Sequence, residues 1–296
     1  MTGLLLVDKP EGMSSAGVIR ALKPRLGRTK IGHLGTLDPF ASGLLPLCLG
    51  EATKIARYLL LEDKGYTGTI RLGTATDTLD GTGAPVEKAA VPALDQPTVD
   101  AIATRFTGRQ RQVPPMYSAL KRDGVPLYKL ARRGIEVARE PREIDVMRLR
   151  LVLRPPDAID FDVACSKGTY VRVLGADLAR ELGTVGHLQA LRRTRVGAFR
   201  IEAAVTLADL LDVRPEVPLP LLSVREALAG YATFATPSEG LARLRRGQQD
   251  PLARLPAPRI DGETALLLDG AGNVAAVIEA AGQAPAWRLV RLLGGS

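Results

Sequence analysis

Between Gly32 and Leu45 the chain packs three glycines and the pair Asp38-Pro39 into one short stretch, Gly32-His33-Leu34-Gly35-Thr36-Leu37-Asp38-Pro39-Phe40-Ala41-Ser42-Gly43-Leu44-Leu45. Pro39 drives Asp38 out of the helical region into extended backbone, so its carboxylate projects from a rigid turn. Gly32, Gly35 and Gly43 let the chain bend tightly or lie close against a ligand. Apolar residues resume at once in Leu44-Leu45-Pro46-Leu47-Cys48-Leu49, the pattern of a buried strand that anchors the loop. A carboxylate fixed in this way suits a nucleophile or a general base. It is equally the form of an Asx-turn, and the segment alone does not choose.

Composition narrows the class. A chain of 296 residues is long enough for two domains of about 150 residues each. At 46% hydrophobic and 24% charged residues it has ample material for a globular core. No apolar run approaches the roughly 18 residues of a membrane span. The start, Met1-Thr2-Gly3-Leu4, lacks the parts of a secretory signal, so a cytoplasmic location is expected. Cys48 and Cys165 are too few for a disulfide framework and sit in apolar, strand-like runs, where buried packing is the expected role. With 2 histidines in the chain, no metal site is expected.

A net charge of +8 permits a polyanionic partner, and clustering is the better guide. Lys121, Arg122, Lys129, Arg132, Arg133, Arg139 and Arg142 crowd one segment, Arg192, Arg193, Arg195 and Arg200 a second, and Arg243, Arg245 and Arg246 a third. One cluster alone reads as a solvated face.

The apolar spacing predicts a strand over 4–7, a helix from Ser14 or Ser15 that must end near Pro24, and a helix over 51–60. It further predicts a helix over 98–107 stopped by Gly108, a half-buried strand through Ile159, Phe161, Val163 and Cys165, and a helix carrying Val171, Leu174, Leu178 and Leu182. Pro126 to Arg133 reads as a short helix ended by Gly134. Pro215, Pro218 and Pro220 mark a break, a short helix is expected over 224–228, and a longer one over 239–246. Strands over 265–268, 274–278 and 287–292 follow, the first two joined by the turn Asp269 to Asn273. Strands interrupted by unevenly spaced helices, without a βαβ rhythm, argue for an α+β fold with a mixed sheet.

The loop string around Asp38 resembles the catalytic loop of the TruB-type tRNA pseudouridine synthases. Further blocks stand in that family's order: Leu4 to Ser15, Gly50 to Lys54, Lys64-Gly65-Tyr66, Thr76 to Gly81, Gln112 to Lys121, Cys165 to Arg172 and His187 to Arg193. The resemblance covers about the first 200 residues. It implies a pseudouridine-synthase catalytic domain over 1–230, with a mainly antiparallel mixed sheet and flanking helices. It also implies a basic RNA-binding insertion over about 121–142, and a small β-rich PUA-like RNA-binding domain over 231–296, where the match is loose.

By that resemblance Asp38 is the nucleophile, Arg172 its guanidinium partner, and Tyr66 a tyrosine that stacks on the uracil and helps remove the C5 proton. Tyr170 and Leu191 contact the target base, and His33 fills the space left when that base is flipped out. Lys9 and Pro10 support the loop. Lys121, Arg122, Lys129, Arg132, Arg133, Arg192 and Arg193 are weaker candidates for RNA contact, through phosphates rather than bases. The implied reaction converts uridine 55 in the T-loop of tRNA to pseudouridine, by a monomer and without cofactor. The alternatives are a guide-RNA-dependent pseudouridine synthase and a non-catalytic RNA-binding protein or tRNA chaperone.

Overall fold

The computed structural model describes residues 1–60, 62–212, 214, 217–282 and 286–294. Pro215, one of the three prolines expected to mark a break, lies outside the described residues.

The chain opens with β1 (Gly3–Lys9), whose Leu4, Leu5 and Val7 are fully buried. Ser14 then caps α1 (Ser15–Leu26) by accepting a hydrogen bond from the Gly17 backbone. This helix runs through Pro24 instead of ending there. Its buried stripe Val18, Leu22 and Leu26 continues past the proline, and Arg25 donates to the carbonyls of Leu210 and Val217, so tertiary contacts carry the last turn. Next come β2 (Ile31–His33) and β3 (Ser42–Leu49), which flank the Asp38 loop. The segment expected as one helix over 51–60 is split into a 3₁₀ turn at Gly50–Ile55 and α2 (Ala56–Leu60).

The strand β4 (Lys64–Leu72) crosses the middle of the molecule, and a small hairpin of β5 (Thr74–Thr76) and β6 (Pro85–Lys88) follows. Asp95 caps α3 (Gln96–Arg105), which leads into β7 (Gly108–Gln112). The basic segment holds a two-stranded ribbon, β8 (Lys121–Arg122) and β9 (Val125–Pro126), and the one-turn α4 (Leu127–Ala131). Two long antiparallel strands, β10 (Arg142–Arg154) and β11 (Ala158–Cys165), precede α5 (Val171–Glu181) and β12 (Gly186–Val196). Strand β11 alternates buried and half-buried residues along its whole length, as its sequence predicts. Short elements then wrap back: β13 (Phe199–Arg200), β14 (Val205–Thr206), α6 (Leu207–Asp212), β15 (Leu221–Leu222) and α7 (Val224–Ala227).

The main sheet runs β14-β1-β3-β12-β4-β11-β10-β7, with β2 paired to β3, β13 to β12 and β15 to β1 beside this path. It is mixed: β1–β14 and β3–β12 are parallel and the other neighbours along this path antiparallel. Helices α1, α3, α5 and α6 bury their apolar stripes on one face, among Leu5, Leu45, Ile70, Phe161 and Leu188. The parallel junction of β3 and β12 brings two sequence-distant segments side by side, and the site forms there.

A second sheet closes the chain, β16 (Ala232–Ala235), β17 (Thr264–Leu268), β18 (Val274–Ala280) and β19 (Trp287–Leu292), with α8 (Ser238–Arg245) against it. Sequence patterning finds the last three strands but not β16, which pairs parallel to β17. The turn Asp269 to Asn273 is held by the Asp269 carboxylate, which accepts from the Ala271 and Asn273 backbones at 3.0 and 2.9 Å. Trp287 is fully buried in this small core and donates to the Pro256 carbonyl at 2.6 Å. Lys54 donates to the Leu292 carbonyl at 3.2 Å, tying the small sheet to the main body.

Candidate active site

The Asp38 loop is fastened at several points before any reacting group is considered. Buried Ser15 accepts from the Leu37 backbone at 2.9 Å and donates to the Leu37 carbonyl at 3.1 Å. Lys9 is buried under the loop and donates to the carbonyls of Pro10, Met13 and Pro39 at 2.8, 2.6 and 3.3 Å. Burial lowers its pKa to about 8, although Asp38 and Glu11 favour its charge. Lys9 thus braces the loop, as its place in the motif implies. The turn itself is closed by the Ala41 backbone donating to the Asp38 carbonyl at 3.1 Å.

Gly43 explains one fixed position in the motif. Its φ is +102°, and a Cβ there would lie 2.3 Å from the Arg193 carbonyl oxygen on the neighbouring strand. Gly43→Ala is therefore expected to cost roughly 3 kcal/mol, through left-handed strain and loss of the β3–β12 pairing. Thermal unfolding measures it, and an unchanged midpoint would contradict this account.

Arg172 enters from the first turn of α5 and is 4% exposed. Its Nε meets the Asp38 Oδ2 at 2.8 Å, and its two terminal nitrogens donate to the carbonyls of Thr78 and Tyr117 at 2.6 and 2.7 Å. A second carboxylate, Asp80, stands 3.7 Å from the same guanidinium and is itself buried. Asp80 accepts from the Thr78 hydroxyl at 2.9 Å and from the Thr82 backbone and hydroxyl at 3.0 and 2.5 Å. The turn between them holds Leu79 at φ +62°, a conformation uncommon for leucine, so the segment that presents Thr78 and Asp80 is locked by its contacts.

Asp38 keeps 37% of its side-chain surface open toward a cavity, while its other side is enclosed by protein. That enclosure raises its pKa above the usual carboxylate value; the charge and hydrogen bond of Arg172 oppose the rise, and Asp80 adds to it. The cavity measures about 390 Å³ and is walled by Asp38, Tyr66, Tyr170, Arg172 and Leu191 among others. Five side chains singled out in the sequence thus converge on one space. Tyr66 and Leu191 arrive on the adjacent strands β4 and β12, where they face the same way. The buried Gln112 amide orients Tyr170, accepting from its backbone at 2.8 Å and donating to its carbonyl at 3.2 Å.

His33 does not line this cavity. It sits half-buried on β2, paired with Leu47, and its Nδ1 is buried without a hydrogen-bond partner among the described residues. Burial and the nearby Arg193 hold its pKa below the ordinary imidazole value. Lys121, Arg122, Lys129, Arg132 and Arg133 are exposed on the ribbon and one-turn helix that continue from the cavity wall at Ser118, Ala119 and Leu120.

Of the adjacent Arg192 and Arg193, the second requires a correction. Alternation along β12 turns Arg193 inward with Leu191, so it is 1% exposed and closed to phosphate. Arg192 points the other way and forms a two-bond fork with Asp8 at 3.0 and 2.6 Å. It lines a larger depression of about 540 Å³ on the opposite face of the sheet. There Arg154 pairs with Asp160 at 2.9 Å, so charge is largely neutralised in place. Sequence reasoning assigned no role to Asp80 or Gln112 and read Ser15 only as a possible helix cap, which is Ser14 in the structure. Each lies within or beside a recognised block, but a buried partner is not legible in a linear motif.

The chain matches the family model described as TruB family pseudouridylate synthase (N terminal domain) over residues 23–171. It matches the tRNA pseudouridylate synthase B C-terminal domain over residues 172–217. A tRNA pseudouridine synthase B of Syntrophotalea carbinolica is 45% identical over 280 residues, covering 94% of this chain and 91% of its own. Its counterpart in Psychrobacter cryohalolentis is 47% identical over 258 residues, 84% of this chain and 71% of its own. Among solved structures, a chain in the crystal structure of a Cbf5-Nop10-Gar1 complex aligns with a TM-score of 0.74 over 98% of this chain and 84% of that one. At 23% identity that likeness is one of fold.

Proposed function

The chain belongs to the TruB family of tRNA pseudouridine synthases, enzymes of the isomerase class, and from that premise we propose that it converts uridine 55 in the T-loop of tRNA to pseudouridine. The observation that carries the reading is the ion pair of Asp38 with Arg172 at 2.8 Å, at the edge of a cavity walled by Tyr66, Tyr170 and Leu191.

The reaction breaks the bond between uracil N1 and ribose C1′, turns the base, and forms the bond from C5 to C1′. The proton on C5 is lost and N1 gains one, so atoms and electrons balance within the substrate. No group or electron comes from outside, and the reading therefore invokes no cofactor. Asp38 supplies the carboxylate nucleophile, and Arg172 keeps it ionised where enclosure favours the neutral acid. The target base reaches the cavity by leaving its stack, at a cost of a few kcal/mol that contacts with Tyr66, Tyr170 and Leu191 offset. His33 fills the vacated space from outside the cavity. Exposed Lys121, Arg122, Lys129, Arg132 and Arg133 contact phosphates as the basic segment closes on the RNA. Residues 1–230 carry the chemistry, and residues 231–296 extend the RNA-binding surface. Among the described residues no helix is long and apolar enough to cross a membrane.

The test is pseudouridine formation on an unmodified tRNA transcript, with the product mapped by position and a T-loop uridine-to-cytidine transcript as control. Product at the T-loop uridine, absent from the control, supports the proposal. Binding without product until guide RNA is supplied would replace it with the guide-dependent reading.

Asp80 provides a finer test. Asp80→Asn retains an acceptor for Thr78 and Thr82 but removes one negative charge facing Arg172. The expected result is a kcat lowered about tenfold with tRNA affinity unchanged, the size of one lost charge-assisted contact. Unaltered turnover would show that Asp38 and the Thr78 and Tyr117 carbonyls suffice to hold Arg172.

A further inference from the structure

Arg193 is a buried cation that grips both arms of the loop carrying Asp38. Its Nε donates to the Leu44 carbonyl at 2.8 Å, and its terminal nitrogens to the Thr36 and Gly35 carbonyls at 3.4 and 3.1 Å. Gly35 and Thr36 precede Asp38 and Leu44 follows it, while the backbone of Arg193 pairs with Gly43 on β3. No carboxylate among the described residues pairs with this guanidinium, so a full charge is enclosed at a cost that uncharged acceptors only partly offset. An apolar side chain of that length would fill the space without the cost. The bonds to the loop are what the arginine adds.

The need for them lies in the backbone. Strand β2 ends at His33 and β3 begins at Ser42, so Gly35 and Thr36 fall outside both ladders. The parallel pairing of β3 with β12 stops at Gly43, one residue before Leu44. Enclosed carbonyls in such a stretch require donors from elsewhere. Three of them converge on one point, and a planar guanidinium, which only donates, serves all three at once. The other fastenings act further along, with Ser15 on Leu37 and Lys9 on Pro39. Among the described residues, Arg193 is the side chain that holds Gly35 and Thr36. We propose that Arg193 is a positioning residue for Asp38: by fixing Gly35 and Thr36 against Leu44, it sets the distance between the Asp38 carboxylate and Arg172.

The proposal rests on the reading of Asp38 as the nucleophile. Asp38 lies two residues past Thr36, whereas Arg172 is anchored separately by the Thr78 and Tyr117 carbonyls. Their 2.8 Å contact therefore joins two independently held frames, and slack in either one lengthens it. The charged groups facing Asp38 are Arg172 from α5, Asp80 from the turn between β5 and β6, and Lys9 from β1. The Tyr66 and Tyr170 phenols stand across the same cavity. Arg193 reaches Asp38 through the loop backbone, not by facing its carboxylate. Being 1% exposed, it cannot touch the phosphates of a bound RNA.

The experiment compares wild type, Arg193→Lys and Asp38→Asn as full chains, each labelled at the aspartate carboxyl carbons. The Asp38 signal is identified by its absence from Asp38→Asn. Arg193→Lys keeps the enclosed charge, but one ammonium cannot span three carbonyls as a planar fork does, so a change at Asp38 reports geometry. As the contact with Arg172 slackens, the Asp38 titration is expected to move up by about half a pH unit or more. With it, kcat should fall about tenfold or more while tRNA affinity stays within about threefold of wild type. An Asp38 titration that stays in place in folded Arg193→Lys overturns the proposal, because an arginine that only stabilises the fold would leave that carboxyl untouched. Unchanged kcat overturns it equally.

Should Arg193→Lys not fold, wild type itself gives the answer. The Arg193 Nε proton, held on the Leu44 carbonyl, is expected to exchange with water at least about 10²-fold more slowly than those of exposed arginines. Exchange at the exposed rate overturns the proposal. The failure of the parent reading looks different. If Asp38→Asn keeps full turnover, Asp38 is not the nucleophile, while the Asp38 titration in Arg193→Lys still reports whether Arg193 sets its contact with Arg172.

Discussion

Asp38→Asn is expected to bind tRNA with the affinity of the unaltered chain and to form no detectable pseudouridine, a loss of at least about 10⁴-fold. The substitution preserves shape and leaves an oxygen to accept from the Arg172 Nε, now 2.8 Å from the Asp38 carboxylate. What disappears is the negative charge and with it the nucleophile. A structural asymmetry makes the result informative. Enclosure raises the Asp38 pKa despite Arg172, so in the folded protein the neutral acid is favoured relative to the unfolded chain. Ionising Asp38 therefore costs stability, and that cost sets in as pH rises from the ordinary carboxylate range through the raised folded value. Asp38→Asn never ionises and should unfold no lower than wild type at neutral pH. The difference should vanish in acid, where wild-type Asp38 is protonated too. Thermal unfolding across pH and a filter-binding assay check both parts. A destabilised Asp38→Asn would mean that lost activity reports damage, not chemistry.

The parts of this site that could be read from sequence share one property: their chemistry is local. Asp38 is legible because Pro39 and the surrounding glycines dictate a turn. The alternation Ile159, Phe161, Val163, Cys165 is legible because strand geometry imposes a period of two. What stayed hidden depends on which segments meet. Pro24 argues for a helix end, yet α1 continues because Leu26 remains in the core stripe and Arg25 is held by carbonyls some 185 residues away in sequence. Strand β16 pairs with β17 across α8 and an irregular stretch, a partnership that local pattern does not announce.

The adjacent arginines of β12 show the limit most clearly. In the linear chain Arg192 and Arg193 are equivalent members of a basic cluster. The β pleat sends Arg192 to Asp8 on an open face and Arg193 beneath the catalytic loop, so of two residues that read alike in the chain only Arg193 is closed to solvent. The recognised blocks marked out the cavity because the fold brings their residues Asp38, Tyr66, Tyr170, Arg172 and Leu191 to one space. They left the pairwise roles of Asp80, Gln112 and Arg193 to be found in coordinates.

Arg172 should be the second most damaging position, and its two natural replacements separate charge from geometry. In Arg172→Met the enclosed Asp80 and the half-enclosed Asp38 lose their shared cation, and breaking such a buried arrangement costs about 3–5 kcal/mol of stability. The carbonyls of Thr78 and Tyr117 lose their donor as well, which loosens the turn held at Leu79. Arg172→Lys keeps a positive charge but cannot reach Asp38 and both carbonyls from one compact ammonium. It should therefore fold, bind tRNA, and turn over about 10²-fold more slowly. Its pH profile carries the diagnosis. A weaker cation beside Asp38 leaves the effects of enclosure and of Asp80 less opposed, so the carboxyl pKa rises further. The active form is the ionised one, and the acid limb of kcat/KM must then move to higher pH in Arg172→Lys. A slower enzyme with an unmoved acid limb would show that Arg172 serves to place the loop and not to hold the charge on Asp38.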